Sequence, residues 1–164
     1  MPCYNCGAVG RSQIIAALRA LPDELEALCE GLSDEELRQR PSEGEWSILE
    51  ICCHLRDSAE IEGLRIRCLV EEEEPALEPY DQEALARQRR YREEDPRRVR
   101  TAVRAFWGGL AYQLERLSEE RWERGGTHPE QGRVTVASRA ARMAEHARAH
   151  LEQVRAILGR LKAH

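Results

Sequence analysis

Four stretches of this chain place apolar residues at helical spacing, and none keeps the two-residue alternation of a half-buried strand. In the first, Ile14, Leu18, Leu21, Leu25, Leu28 and Leu32 lie along one face after Ser12, a plausible N-cap. Pro22 removes one hydrogen bond there without disturbing the register, so a kink or short break is expected. Ser33 with Glu36 marks a short turn of helix that must end before Pro41. The second long stretch opens on the capping box Ser47-x-x-Glu50 and carries Ile48, Cys52, Leu55, Ala59, Ile66 and Val70. The third starts at Asp95-Pro96, an N-cap and N1 pair, and its stripe is Val99, Val103, Phe106, Leu110, Leu114 and Leu117. The fourth, capped by Thr135, keeps Val136, Met143, Val154, Ile157 and Leu161 on one side. Four such stripes bury themselves most simply against one another. The expected class is therefore all-α, a four-helix bundle, with residues 75–95 as a long crossover between the second and third helices. Gly125-Gly126 and His128-Pro129 mark the segment from Ser118 to Gly132 as a loop across one end of the bundle.

Length and composition narrow the function classes. The 164 residues make one domain's worth of chain, read here as a domain over 11–164 behind a disordered N-terminus over 1–10. The net charge is −5, with arginine and glutamate interspersed, so no basic stripe is available for a phosphate backbone and nucleic-acid binding is not expected. No apolar run approaches the ~20 residues of a membrane span and no leader pattern opens the chain, which points to a cytoplasmic protein without membrane contact. Of six cysteines, Cys52, Cys53 and Cys68 share one helical run, which suits a reducing compartment. Cys3-x-x-Cys6 looks like half of a zinc knuckle but has no second pair at a usable spacing, so it is read as functionally silent.

The chemistry concentrates on histidine. His146 and His150 stand four residues apart on the apolar side of the fourth helix, where two imidazoles are costly to bury unless something binds their nitrogens. His54 shares a face of the second helix with Glu50, Asp57, Ser58 and Arg65, and facing helices would bring three neutral imidazoles to one point. His128, in a polar loop, and His164, at the end of the chain, have ordinary readings, although His128 is placed to cover the mouth of such a site. Glu50 is either a capping residue or a general base that also orients an imidazole, and Asp57 is either a surface charge or a base of the same kind. Arg65, Arg139 and Arg142 lie on the histidine-bearing faces, where a guanidinium can hold a carboxylate of a substrate or cofactor. Trp46 reads as a packing anchor. Trp107 and Tyr112 fall off the third stripe and suggest a surface for a homodimer.

The run Trp46-Ser47-Ile48-Leu49-Glu50-Ile51-Cys52-Cys53-His54-Leu55 resembles the Trp-Ser-x-x-Glu-x-x-x-His-Leu signature of the DinB-like, or YfiT-like, superfamily of four-helix-bundle metalloproteins. His128-Pro129-Glu130-Gln131-Gly132 is similar to the loop before that family's last helix, and Glu145-His146-x-x-x-His150-Leu151-x-Gln153 to its paired-histidine segment. The resemblance extends over nearly all of the chain after the first ten residues, and Cys3 and Cys6 have no counterpart in it. It implies that His54, His146 and His150 hold a divalent metal, zinc or nickel, in an open cleft. It also implies paired bundles and, from the family's better understood members, chemistry on a low-molecular-weight thiol. The expectation is a thiol-dependent S-transferase or isomerase acting on a small molecule, with Glu50 and Asp57 as catalytic candidates and Arg65 and Arg142 as cofactor-binding candidates. A metal-dependent hydrolase, or a non-catalytic bundle with a structural metal, is the alternative.

Overall fold

The computed structural model describes residues 10–163. The readings of Cys3, Cys6 and His164 lie outside that range. Four long helices form the body: α1 (Arg11–Cys29), α3 (Ile48–Glu71), α5 (Pro96–Glu115) and α7 (Val136–Leu161). Shorter helices α2 (Asp34–Arg38), α4 (Gln82–Gln88) and α6 (Glu119–Trp122) lie in the connections, with one 3-10 turn at Tyr91–Glu93. The long helices pack in the ring order α1, α5, α3, α7, so each has two long neighbours. Consecutive long helices are not always adjacent: α1 neighbours α5 and α7, while α3 lies between α5 and α7. That arrangement sets the middle of α3 against the middle of α7 and makes residues 72–95 the long crossover from α3 to α5.

Local chemistry explains the element ends. Ser47 Oγ accepts the Glu50 backbone N–H at 3.2 Å and Glu50 Oε2 accepts the Ser47 N–H at 2.9 Å, closing the box that starts α3. Asp95 Oδ1 accepts from the Arg97 N–H at 2.8 Å ahead of Pro96 at the first position of α5. Thr135 Oγ1 accepts from the Ser138 N–H at 3.1 Å to start α7. At α1 the N-cap is Gly10 and not Ser12, with the Gly10 N–H donated to Gln13 Oε1 at 3.1 Å. The helix also runs unbroken through Pro22, which is buried: packing of the adjacent turns holds the helix across one missing hydrogen bond.

Two further expectations give way. The stripe of α5 uses Trp107 and not Phe106: Trp107 is fully buried and donates its indole N–H to the Leu55 carbonyl at 2.8 Å, while Phe106 is 37% exposed. Both positions satisfy helical spacing from Val103, and the pairing of α5 with α3 selects the one that turns toward Leu55. Trp107 therefore offers no free apolar surface to a second chain; Tyr112 remains exposed. The segment expected to be loop between α5 and α7 contains a β-hairpin, β1 (Gly125–His128) with β2 (Gly132–Thr135), antiparallel with His128 opposite Gly132. The hairpin is strapped to the crossover, since the Thr127 N–H donates to the Pro75 carbonyl at 2.9 Å and the Leu77 N–H to the Thr127 carbonyl at 2.8 Å. A Cβ on Gly126 would overlap the Pro75 carbonyl oxygen, so only glycine permits this approach. The strap carries His128 inward.

Candidate metal centre

His54 comes from the second turn of α3, and His146 and His150 come from the middle of α7, one turn apart on the face turned to α3. Their rings cluster: centroids are 4.9 Å apart for His54 and His146, 4.8 Å for His54 and His150, and 4.4 Å for His146 and His150, each pair steeply inclined. One ring nitrogen from each lies within 4.8 Å of the other two. Ligand nitrogens ~2 Å from a zinc ion stand on the order of 3.3 Å apart at the tetrahedral angle, so small ring rotations close the cage on an ion. Ser58, one turn beyond His54, places its hydroxyl 3.4 Å from His54 Nε2 and 3.3 Å from His146 Nε2, which fixes these nitrogens on the inner side. The indole of Trp46 packs on the outer side of His54 at 5.1 Å between centroids.

The donors fit a divalent ion in charge state and in direction. Burial, with the neighbouring His150 and His146 adding to it, holds His54 down to about 3, and burial with His150 and Arg142 holds His146 down to about 4. Burial lowers His150 too, opposed by its bond to Gln153. All three rings are thus neutral near pH 7, each with a lone pair to give. For His150 the choice of nitrogen is set from outside the cage: Nδ1 is 2.9 Å from Gln153 Oε1, an acceptor, so Nδ1 carries the proton and Nε2 is left for the ion. Among the described residues this is the one group of three or more metal-type side chains within ligating reach of one another.

The five charged residues singled out by sequence, Glu50, Asp57, Arg65, Arg139 and Arg142, behave differently. Glu50 is buried, closes the capping box and takes a two-pronged ion pair from Arg40, with Arg40 Nε at 3.0 Å from Oε2; its carboxylate is committed to the start of α3 and not aimed into the cage. Asp57 is not a surface charge: it is fully buried, accepting from the Tyr91 hydroxyl at 2.5 Å and from Arg56 and Arg89 at 2.7 Å each. It ties α3 to the crossover. Arg65 is also occupied, donating to Glu62 Oε1 at 2.8 Å and to the Glu78 carbonyl. Arg139 is held by the same Glu62, and Arg142 alone of the five lines the open cleft without an ion-pair partner among the described residues.

One contributor, Glu62, escapes the sequence reading, and another, His128, is placed by it at the mouth of the site but in a loop. Glu62, 3% exposed, lies two turns beyond His54 on the same face and holds both Arg65 and Arg139, the latter through Nε at 3.0 Å and a second, shorter bond. Its place at four residues from Ser58 and eight from His54 was the available signal. His128 is buried on β1 and not in a polar loop; its Nδ1 accepts the Glu130 N–H at 3.2 Å. A cleft of about 270 Å³ runs from Ser58 and His146 past Glu62, Arg65 and Arg139 to Arg142 and His128. The helical cysteines stand apart from this chemistry. Burial pushes the Cys53 thiol up to about 12, and Cys52, whose thiol lies beside that of Cys29, is raised as well.

Comparison with known proteins gives the family and the fold. The DinB superfamily profile matches residues 17–154. YfiT of Bacillus subtilis (strain 168), named "Putative metal-dependent hydrolase", is 25% identical over 126 residues, covering 77% of this chain and 71% of that protein. A relative from Oceanobacillus iheyensis given the same description is 30% identical over 133 residues, covering 77% and 73%. The solved structure of YfiT from Bacillus subtilis, described as "a probable metal-dependent hydrolase with an unusual four-helix bundle topology", superposes with a TM-score of 0.87 at 22% identity, over 99% of this chain and 93% of that one.

Proposed function

This chain belongs to the DinB superfamily, and from that premise we propose that it is a metal-dependent enzyme in which His54, His146 and His150 hold one divalent ion, zinc or nickel, beside the cleft that admits a small substrate. The observation that carries the reading is the convergence of three neutral imidazoles from two helices, one of which, His146, lines the cleft. As three neutral ligands, His54, His146 and His150 would leave a bound divalent ion its full charge and an open position, and it would supply Lewis acidity that lowers the pKa of a bound nucleophile. The chain's own residues do the rest. Gln153 fixes the His150 tautomer, Ser58 stands beside the inner nitrogens as a hydroxyl that can donate to or accept from the nucleophile, and Trp46 shields His54 from solvent.

Hydrolysis by water is the first reading, supported by the names of the relatives. Transfer of a low-molecular-weight thiol to an electrophilic carbon is the second. The carboxylates of Glu50, Asp57 and Glu62 are all engaged in ion pairs or hydrogen bonds, so in both readings the ion, and not a free carboxylate, would have to activate the nucleophile. Elemental analysis of the purified protein and its His146→Ala variant tests the site: about one ion per chain is expected in the parent and most of it lost in the variant. An unchanged metal content would refute the assignment. In the cobalt-loaded protein, a thiol that binds the ion adds a near-ultraviolet charge-transfer band. Its absence across a panel of cellular thiols, with metal-dependent cleavage of an ester or amide, selects hydrolysis.

A further inference from the structure

The cleft carries a charge excess opposite to that of the whole molecule. The protein has a net charge of −5, yet the cleft is lined by three guanidinium groups, Arg65, Arg139 and Arg142, against two carboxylates, Glu62 and Glu130. The excess is fixed in place: Arg65 and Arg139 share the single carboxylate of Glu62, all three buried, with Arg65 also held by the Glu78 carbonyl and Arg139 by Gln131 Oε1 at 2.9 Å. Two positive charges on one negative leave one unit uncompensated in a site partly screened from water, where a charge acts at longer range than on an open surface.

Two groups have hands free to use that field. Arg142 stands one turn before His146 on the same face of α7, is exposed at the cleft, and has no ion-pair partner among the described residues. His128 uses Nδ1 to accept the Glu130 backbone N–H, so the proton of the neutral ring sits on Nε2. Nε2 has no protein partner, and no buried side-chain polar atom among the described residues lacks one; this N–H therefore opens to the cleft. A planar fork and a single N–H donor, on opposite elements and backed by an uncompensated charge, suit a carboxylate.

We propose that the cleft takes a small carboxylic acid, its carboxylate held by Arg142 and the Nε2–H of His128 and its reacting carbon directed to the histidine cage. The cleft volume of about 270 Å³ lies at the low end for ligand sites and fits an acid of a few carbons better than a polymer end. The reactive end of this assignment rests on the metal reading; the carboxylate end rests on this chain's charges alone.

The test is calorimetric titration of the full chain, zinc-loaded and chelated, with succinate, with neutral succinamide and with inorganic phosphate. Saturable succinate binding with none for succinamide is expected, weakened at least ~10-fold by Arg142→Gln and partly restored by Arg142→Lys, the size of one charge-assisted pair. His128→Gln should weaken it less. Equal binding of succinate and succinamide, or an unchanged affinity in Arg142→Gln of normal circular dichroism, would overturn the proposal, and tighter binding of phosphate than of succinate would overturn the carboxylate assignment. The two readings fail separately: succinate binding by a protein that takes up no zinc sinks the metal and leaves the subsite, while zinc uptake without succinate binding does the reverse.

Discussion

At the scale of single residues, the cage depends on groups that touch no ion. The His150 ring can present Nε2 inward only while something outside accepts its Nδ1 proton, and Gln153 does so from one turn further along α7. Gln153→Leu leaves the backbone and the three histidines in place but releases the tautomer. Metal affinity, measured by competition with a chromophoric chelator, should fall about 10–100-fold without loss of helicity. Glu62 is the other such residue. Removing its carboxylate leaves two buried guanidinium groups facing each other, and Glu62→Ala should destabilise the fold by about 3–5 kcal/mol in chemical denaturation. A loss under 1 kcal/mol would mean that water reaches these groups freely.

At the scale of elements, the face that α5 turns to α3 and the strap that holds the hairpin decide what the site becomes. Trp107 and Phe106 are neighbours in sequence with opposite fates, one filling the space beside Leu55 and the other more than a third exposed. Trp107→Ala should cost about 3–5 kcal/mol and Phe106→Ala about 0.5 or less, read from denaturant midpoints. Equal costs would mean that α5 is rotated from its described setting. The hairpin owes its position to backbone bonds with residues 75–77 and to the missing side chain at Gly126, and through it His128 reaches the cleft.

For the molecule as a whole, the buried imidazoles tie stability to pH. His54 and His146 are held at about 3 and about 4, below the value near 6.5 of an unfolded chain. The unfolded state therefore binds protons that the fold excludes in the window between these values. The stability is fully present above pH ~6.5 and is lost as pH falls toward 4 and then 3. The chelated protein should keep a level melting temperature from about pH 8 to 7 and lose it steeply below about 6. Zinc should raise the melting temperature at neutral pH, since a ligand of the folded state alone stabilises by mass action, and the increment should shrink as the histidines compete for protons. A melting temperature indifferent to pH between 7 and 4 would contradict the burial of the cage. No helix of the described residues is long and apolar enough to cross a membrane.

The sequence by itself determined the elements whose signal is local. The capping box at Ser47, the N-cap and N1 pair Asp95-Pro96, the four apolar stripes and the i, i+4 histidine pair are short-range patterns, and each survives in the structure, with Trp107 in place of Phe106 on the third stripe, because the hydrogen bonds and faces they encode involve residues within a turn or two. His54 was legible from its helix face as a candidate third member, and the family signature singled it out, since one histidine on a helix names no partner by itself. What the tertiary structure decided is everything that depends on which helix lies next to which. The ring order set α3 against α7 and so closed the cage; it turned Trp107 inward, and it drew Arg65 and Arg139 onto Glu62. Glu50 and Asp57 show the limit most clearly. Their spacing from His54 permits a catalytic role, but a carboxylate goes to the strongest donors within reach, and besides Arg56 on α3 itself these are Arg40, Arg89 and Tyr91, from turns and crossover segments that helical periodicity does not place. The hairpin was invisible for the same reason: Gly125–His128 and Gly132–Thr135 are too short and too poor in β-formers to announce strands, and they pair because the crossover offers Pro75 and Leu77 as partners.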